Sequence, residues 1–463
     1  MSARPLFAIF GAIVAIMWII ALATMPGDDS EGRTVISWST DPNPARPAQI
    51  VPFHEKHPDI LVKVEPNTFD RTIVQASTGV GPDLIEIYDQ AQMVTLAEAG
   101  VLLDLTPYAE RFGISPEVTY PKLRGNLLYN GKQYRFPANV SCGVLFYNKR
   151  VFEEAGIPPP PPEGMTWQEY IELVKPLTVR RADGRGFERF AMALSQSDLE
   201  HFHLQHGARI FSEDGTRCIL DSPESIAAMQ FYLDLMHKHQ LAPSPDAAAA
   251  ISGDGGWGVN QMHWFATGRA ASMIGGRWMI ILLRQYPEME GNLGVALVPH
   301  MPGGVPATYC GARGPGINAL SKNIEESLLF LQYLASDDYS RIIAMSSDAL
   351  PPNRHYVEDP NNLLNPEYPW EDFQEVFVRA MDYAESKETS PFVESSYVSR
   401  VWIEAIEAAE NRLITAEEAM RTVTRRVNER IRLNLRDQPE LRKLYEERTG
   451  TTVATASGNS MGR

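Results

Sequence analysis

Short apolar runs alternate with amphipathic stretches along most of this chain. Thr34–Trp38 (TVISW) predicts a strand, and Ala48–His57 predicts a helix with Ile50, Phe53 and His57 on one face. Ile60–Glu65 (ILVKVE) alternates like a strand. Asp83–Tyr88 (DLIEIY) predicts another, entered through Gly79, Gly81 and Pro82, and Met93–Ala99 predicts a short helix stopped by Gly100. This β-α-β-α order predicts an α/β fold, a sheet with helices on both faces. Further strands are expected at Gly143–Tyr147, Ala270–Ile274, Leu293–Val298 and Gly316–Leu320. Thr166 with Glu169, Asn323 with Glu326, and Thr415 with Glu418 have the spacing of helix capping pairs, and Ser222-Pro223 opens another helix. Residues 240–258, poor in large apolar groups, predict a mobile loop, and the sequence after residue 445 predicts a flexible tail.

The N-terminus breaks the pattern. Pro5–Met25 is uncharged and apolar, with Arg4 before it and Asp28, Asp29 and Glu31 after it. A run of about 20 such residues can cross a bilayer, and it is also close to a secretory signal in length. The charge order predicts the N-terminus inside and the body of the chain outside the cytoplasm. Cleavage after Ala21-Leu22-Ala23 and retention as a hydrophobic anchor helix both fit; the run has no cysteine behind it for a lipid anchor.

Composition narrows the function. The chain has 463 residues, of which 44% are hydrophobic, and carries a net charge of −16. That length predicts more than one core. The acidic balance argues against a nucleic-acid partner. Cys142, Cys218 and Cys310 form no CxxC pair and read as buried small residues, with one disulfide open in an oxidising compartment. His201, His203 and His206 are closely spaced, but no fourth ligand accompanies them, so no metal is expected. Gly253, Gly255, Gly256 and Gly258 lack the lysine and strand–loop–helix setting of a phosphate loop. No GxSxG or HExxH signature appears, no cofactor is expected, and the chain does not read as an enzyme.

Four stretches carry a resemblance. They are Trp38–Val64 with Phe53-His54-Glu55-Lys56-His57-Pro58-Asp59-Ile60; Gly81-Pro82-Asp83-Leu84-Ile85 with Leu96-Ala97-Glu98-Ala99-Gly100; Arg135-Phe136-Pro137 through Tyr147-Asn148-Lys149 to Thr166-Trp167; and Gly268-Arg269-Ala270-Ala271 with Gly275-Gly276-Arg277-Trp278 and Gly316–Leu320. Together, across residues 34–435, they are similar to the extracellular solute-binding proteins of family 1, the sugar-binding components of ABC importers, in which maltose-binding protein is a familiar member. Tyr356–Thr389, acidic and proline-rich, is not typical of the family.

The resemblance implies a type II periplasmic-binding-protein fold: two α/β lobes, a ligand cleft between them, and three hinge crossings near Asn139–Gly143, Tyr309–Gly311 and residues 340–352. The corresponding division is 1–27 signal or anchor, 33–140 with 311–345 as lobe 1, 143–308 with 350–445 as lobe 2, and 446–463 as tail. It further implies a monomer in the periplasm, or outside the cytoplasm generally, that takes up a carbohydrate ligand and docks on ABC permease subunits. A periplasmic sugar sensor for a membrane signalling protein, and a carbohydrate-active enzyme, are the alternatives.

A sugar presents C–H faces that stack on aromatic rings and hydroxyls that need fixed donors and acceptors. Such ligands sit beyond the carboxyl ends of strands in open α/β sheets. That rule selects Trp38, Asp41 and Asn43 after the first strand, and Tyr88, Asp89 and Gln90 after the third. Asn139, Tyr309 and Arg313 border the crossings. The resemblance places stacking rings at Trp278, preceded by Arg277, and at Trp402. For Trp38 and Trp402 core packing competes with ligand contact, Asp89 also suits a helix cap, and Arg313 also suits an ion pair. Arg277 and Arg313 leave an anionic ligand open.

Overall fold

The apolar run after Arg33 becomes β1 (Thr34–Thr40), followed by the helix Arg46–Lys56, β2 (Ile60–Pro66) and β3 (Leu84–Ile87). These and the elements below come from a computed structural model, which describes residues 30–451 apart from 31, 67–71, 73, 77–80, 183–185 and 252–258. The N-terminal apolar run and the glycines Gly253, Gly255, Gly256 and Gly258 lie outside the described residues. β1 pairs in parallel with β2 and β3, with Trp38 opposite both Val64 and Leu84. Ile36 and Trp38 point to one face, where Phe53, Leu328 and Phe330 close the core. The helix Ile324–Leu334 supplies the last two. Its Asn323 does not cap it; the amide instead donates to Val35 O and Asp83 Oδ1, tying the helix start to the sheet edge.

A second sheet is antiparallel throughout. β4 (Asn139–Cys142) leads into β5 (Val144–Asn148), which is flanked by β6 (Ser272–Gly275) and β7 (Leu293–Ala296). Its helices include Trp167–Val174 and Pro223–His237, and the C-terminal pair Ser395–Glu410 and Ala416–Asp437. The capping boxes at Thr166 and Thr415 both form. The stretch expected as a loop contains the helix Pro245–Ile251, because Pro245 starts a run of alanines, the strongest helix formers. The expected tail also begins later, since the helix Pro439–Thr449 runs to a left-handed Gly450. Tyr356–Thr389 forms short helical turns and the helix Gln374–Asp382, whose Phe377 joins the core beneath β5.

The first sheet continues through β8 (Thr308–Ile317), of which the expected strand at Gly316 is only the end. Its last residues pair with β3, Gly314 opposite Ile87. Its first half pairs with β4, Cys310 opposite Cys142 and Arg313 opposite Asn139, and with β9 (Ala384–Ser386). Leu350 bridges the other edge of β4 at Val140. The three expected crossings therefore lie side by side as one ribbon. The segment before β4 does not keep to the sequence-based division: Tyr120 and Leu123 pack with Phe146 and Phe377 in the core of the second body.

Gly143 sits where the ribbon meets the second body. A Cβ there would lie 2.6 Å from Thr308 Oγ1 and 2.7 Å from His201 Cε1. The His201 ring is fixed in place, its Nδ1 meeting the Tyr309 N–H at 3.2 Å and the Thr308 hydroxyl at 3.1 Å. The Gly143→Ala change should therefore cost about 1–3 kcal/mol through overpacking. Urea denaturation measures it, and an unchanged midpoint would show that the His201 ring yields freely.

Candidate functional site

The polar groups beyond the carboxyl ends of β1 and β3 converge on one residue, Asp348. It is 1% exposed. Its carboxylate accepts hydrogen bonds from Arg46, from Gln49 at 2.9 Å, from Arg313 Nη2 at 3.0 Å and from Asn43 at 3.3 Å. Its carbonyl accepts from the Asn139 amide at 3.1 Å. Arg313 also donates to Glu86 at 2.9 Å, and Arg46 grips Asp41 through two bonds of 2.9 and 3.1 Å. The second oxygen of Glu86 takes the Trp38 indole N–H at 2.7 Å. Burial alone would raise the Asp348 carboxyl, but the two guanidinium groups hold it well below the usual carboxylate range.

This cluster joins the three crossings chemically: β4 through Asn139, β8 through Arg313, and the third through Asp348 itself. The turn carrying Asp348 is strained. Ser347 and Ala349 hold φ of +59° and +68°, a region unfavourable to residues with a Cβ. Arg277 helps to hold it. Its guanidinium donates to Ala349 O at 2.5 Å, to Ala344 O at 2.8 Å and to Gln374 at 2.7 Å. Arg277 thus anchors the loop after β6 to the end of the helix Asp337–Ser346, where unpaired carbonyls need donors. Burial pulls its pKa down to about 9, which leaves it charged at neutral pH.

Several residues chosen from the sequence do other work here. Trp38 is fully buried, its ring 5.2 Å from Phe330, so no face is left for a sugar. Arg277 is likewise fully buried and spent on carbonyls. Trp402 faces inward from Ser395–Glu410 and lies 4.9 Å from the buried ring of His203. Tyr309 is buried against His201 at 6.2 Å. Asp89 caps the helix Gln90–Glu98, accepting the Gln92 N–H at 2.8 Å, but remains exposed. Asn43 and Asn139 both bond Asp348; Asn139 is buried, and Asn43 stays partly exposed. Gln90 bonds Thr389 at 3.0 Å and Gly125 O at 3.4 Å, and so links the first sheet to the C-terminal segment.

Of the chosen groups, Asp41 and Tyr88 keep accessible surface beside the Asp348 cluster, and Trp278 does so beside the first crossing. Asp41 is 30% exposed at its side chain. Tyr88 is 40% exposed, and its phenol is pushed up by burial and by the nearby Glu86 and Asp41. Trp278 is half-buried beside the ribbon: a Cβ on Gly276 would lie 2.2 Å from Ser141 Oγ and 2.8 Å from the Trp278 indole. Gly276 thereby lets the ring approach the first crossing. Glu86, Arg46, Gln49, Ser141 and Asp348 were not selected from the sequence. Of these only Glu86, a charge inside the apolar run DLIEIY, carries a visible signal. The closely spaced histidines point three ways, His201 to β8, His203 into the core and His206 to the Phe202 carbonyl.

Two bodies joined by a three-crossing ribbon, with a polar and aromatic face at the junction, define a hinged binding protein. The chain matches the bacterial extracellular solute-binding proteins over residues 38–340 and belongs to that family. An arabinooligosaccharide-binding protein of Halalkalibacterium halodurans is 26% identical over 66% of this chain and 68% of its own. A galactooligosaccharide-binding protein of Bacillus subtilis is 24% identical over 72% of this chain and 75% of its own. An ABC substrate-binding protein of Listeria monocytogenes, solved with cycloalternan, superposes with a TM-score of 0.72 at 24% identity over 86% of this chain and 98% of its own. The chain is thus a two-lobed solute-binding protein of the extracytoplasmic type.

Removing one charge from a buried pair strands its partners, so Asp348→Asn should destabilise the protein by about 3–5 kcal/mol. The carboxyl lies lower folded than its ordinary 3.8, so its contribution is full above about pH 4 and declines as the pH falls further. Urea titrations of both proteins from pH 7 to pH 3 measure this. The gap between them should narrow toward pH 3; a constant gap would contradict the ion-pair origin.

Proposed function

We propose that this protein captures an oligosaccharide outside the cytoplasm and presents it to the permease of an ABC importer. The observation that carries the proposal is the placement of Trp278 beside Ser141, on the same ribbon that holds Asp41 and Tyr88 close by. A half-buried indole offers part of the flat apolar surface that a sugar ring needs, and a partly exposed carboxylate and phenol offer hydroxyl partners. The oligosaccharide-binding names of the relatives point the same way. Asp41 is oriented by Arg46, which leaves its accessible edge to accept from a ligand. A ligand touching both lobes favours the closed form by its differential contacts, and closure is the signal a permease reads.

The same geometry bears on catalysis. The buried carboxylates nearest the junction, Glu86 and Asp348, are each engaged by arginine, so neither is set up as a free acid or nucleophile. The apolar segment 5–25, outside the described residues, is proposed to carry the chain across the inner membrane and, if uncleaved, to tether it there.

Trp278→Ala should weaken oligosaccharide binding by about 1–3 kcal/mol, roughly 5- to 150-fold, through lost apolar burial. Titration calorimetry with arabino-, galacto- and maltooligosaccharides measures this. The reading fails if no member of the panel binds the wild-type protein, and Trp278 leaves the site if its removal changes nothing.

A further inference from the structure

Cys142, Cys218 and Cys310 are all buried thiols, but they are not equivalent. Cys142 on β4 stands directly opposite Cys310 on β8. The bonding pattern identifies the kind of pair. Both backbone polar groups of Val140 bond to Leu350, on the edge away from β8. The Gly143 N–H donates to Tyr309 O at 3.3 Å. In an antiparallel ladder bonded and non-bonded pairs alternate, so with Gly143–Tyr309 bonded, Cys142–Cys310 is a non-bonded pair. Such pairs hold their Cα atoms about 4.5 Å apart, with both side chains on one face. A disulfide needs Cα atoms about 4.4–6.8 Å apart. Both side chains enter the same apolar cluster, with Ala380 and Phe377. Cys218 lies in a different core, where its N–H bonds Asn428.

We propose that Cys142 and Cys310 are joined by a disulfide in the exported protein, stapling the first hinge crossing to the second. The inference rests on the extracytoplasmic location, where disulfides persist. The electron acceptor is an exported thiol oxidase carrying a reactive disulfide. One cysteine thiolate attacks that disulfide to form a mixed disulfide, and the second thiolate displaces the oxidase sulfur. The two electrons and the two thiol protons pass to the oxidase, which leaves as its dithiol. Burial pushes the Cys310 thiol up to about 12 and the Cys142 thiol higher still, so the bond forms as the chain folds, before the pair is enclosed.

The test starts from full-length protein recovered from the extracytoplasmic fraction, quenched with N-ethylmaleimide, digested without reductant and read by mass spectrometry. A peptide pair linking Cys142 to Cys310, with Cys218 alone alkylated, is the expected result. Alkylation of all three overturns the proposal. Refolding in a glutathione redox buffer then locates the fault: a link formed only there points to the export pathway, and none at all to the strand geometry. Reductant should also lower the melting temperature of the wild-type protein by about 5–10 °C and leave Cys142→Ala unmoved. A wild-type melting temperature indifferent to reductant overturns the proposal even where the variants fold poorly.

Discussion

The molecule is organised around a carboxylate that cannot stand alone. Asp348 is buried, and its charge persists only because Arg46 and Arg313 sit against it. Those arginines come from a helix and a strand of the first body, while the turn bearing Asp348 is fastened by Arg277 from the second. The segments carrying Asn139, Arg313 and Asp348 are thus tied together by one need, to compensate charges removed from water. A buried ion cluster of this kind adds little net stability over an apolar core, but it tolerates few arrangements. It therefore fixes the register of the crossings, and with it the positions of Asp41, Tyr88 and Trp278.

Much of the architecture was legible because it rests on local rules. The parallel strands, the capping boxes at Thr166 and Thr415 and the crossing regions follow from periodicity, from side chain–backbone competition and from the family likeness. The misreadings are equally physical. Trp38 lies two residues from Ile36, and in a strand that spacing puts both on one face; the core claimed the indole. Arg277 follows two glycines and looks free in sequence, but three carbonyls left by a helix end and its turn claim it. Asp348 was invisible because its role depends on a strained turn and on partners on other elements, from Arg313, 35 positions away, to Asn43, 305 away.

The site is correspondingly divided. The Asp348 cluster is buried and charged, and Asp41 and Tyr88 beside it keep accessible surface. In the site proposed above, ligand selectivity would belong to the accessible groups, since substitutions in the buried cluster would disturb the hinge and the site together. Asn43 and Asn139, chosen as hydroxyl partners, both bond Asp348: amides that look suited to a ligand are equally suited to a buried carboxylate and its carbonyl.

β8 is paired along most of its length, to β3 at one end and to β4 and β9 at the other. Turning one body against the other then loads this ribbon in torsion, and its ladder can twist without breaking. The elastic response of the ribbon built on β8 would set how stiffly the two bodies are coupled. The jaws of the receptor and the spring that returns them are, in that sense, one piece of backbone.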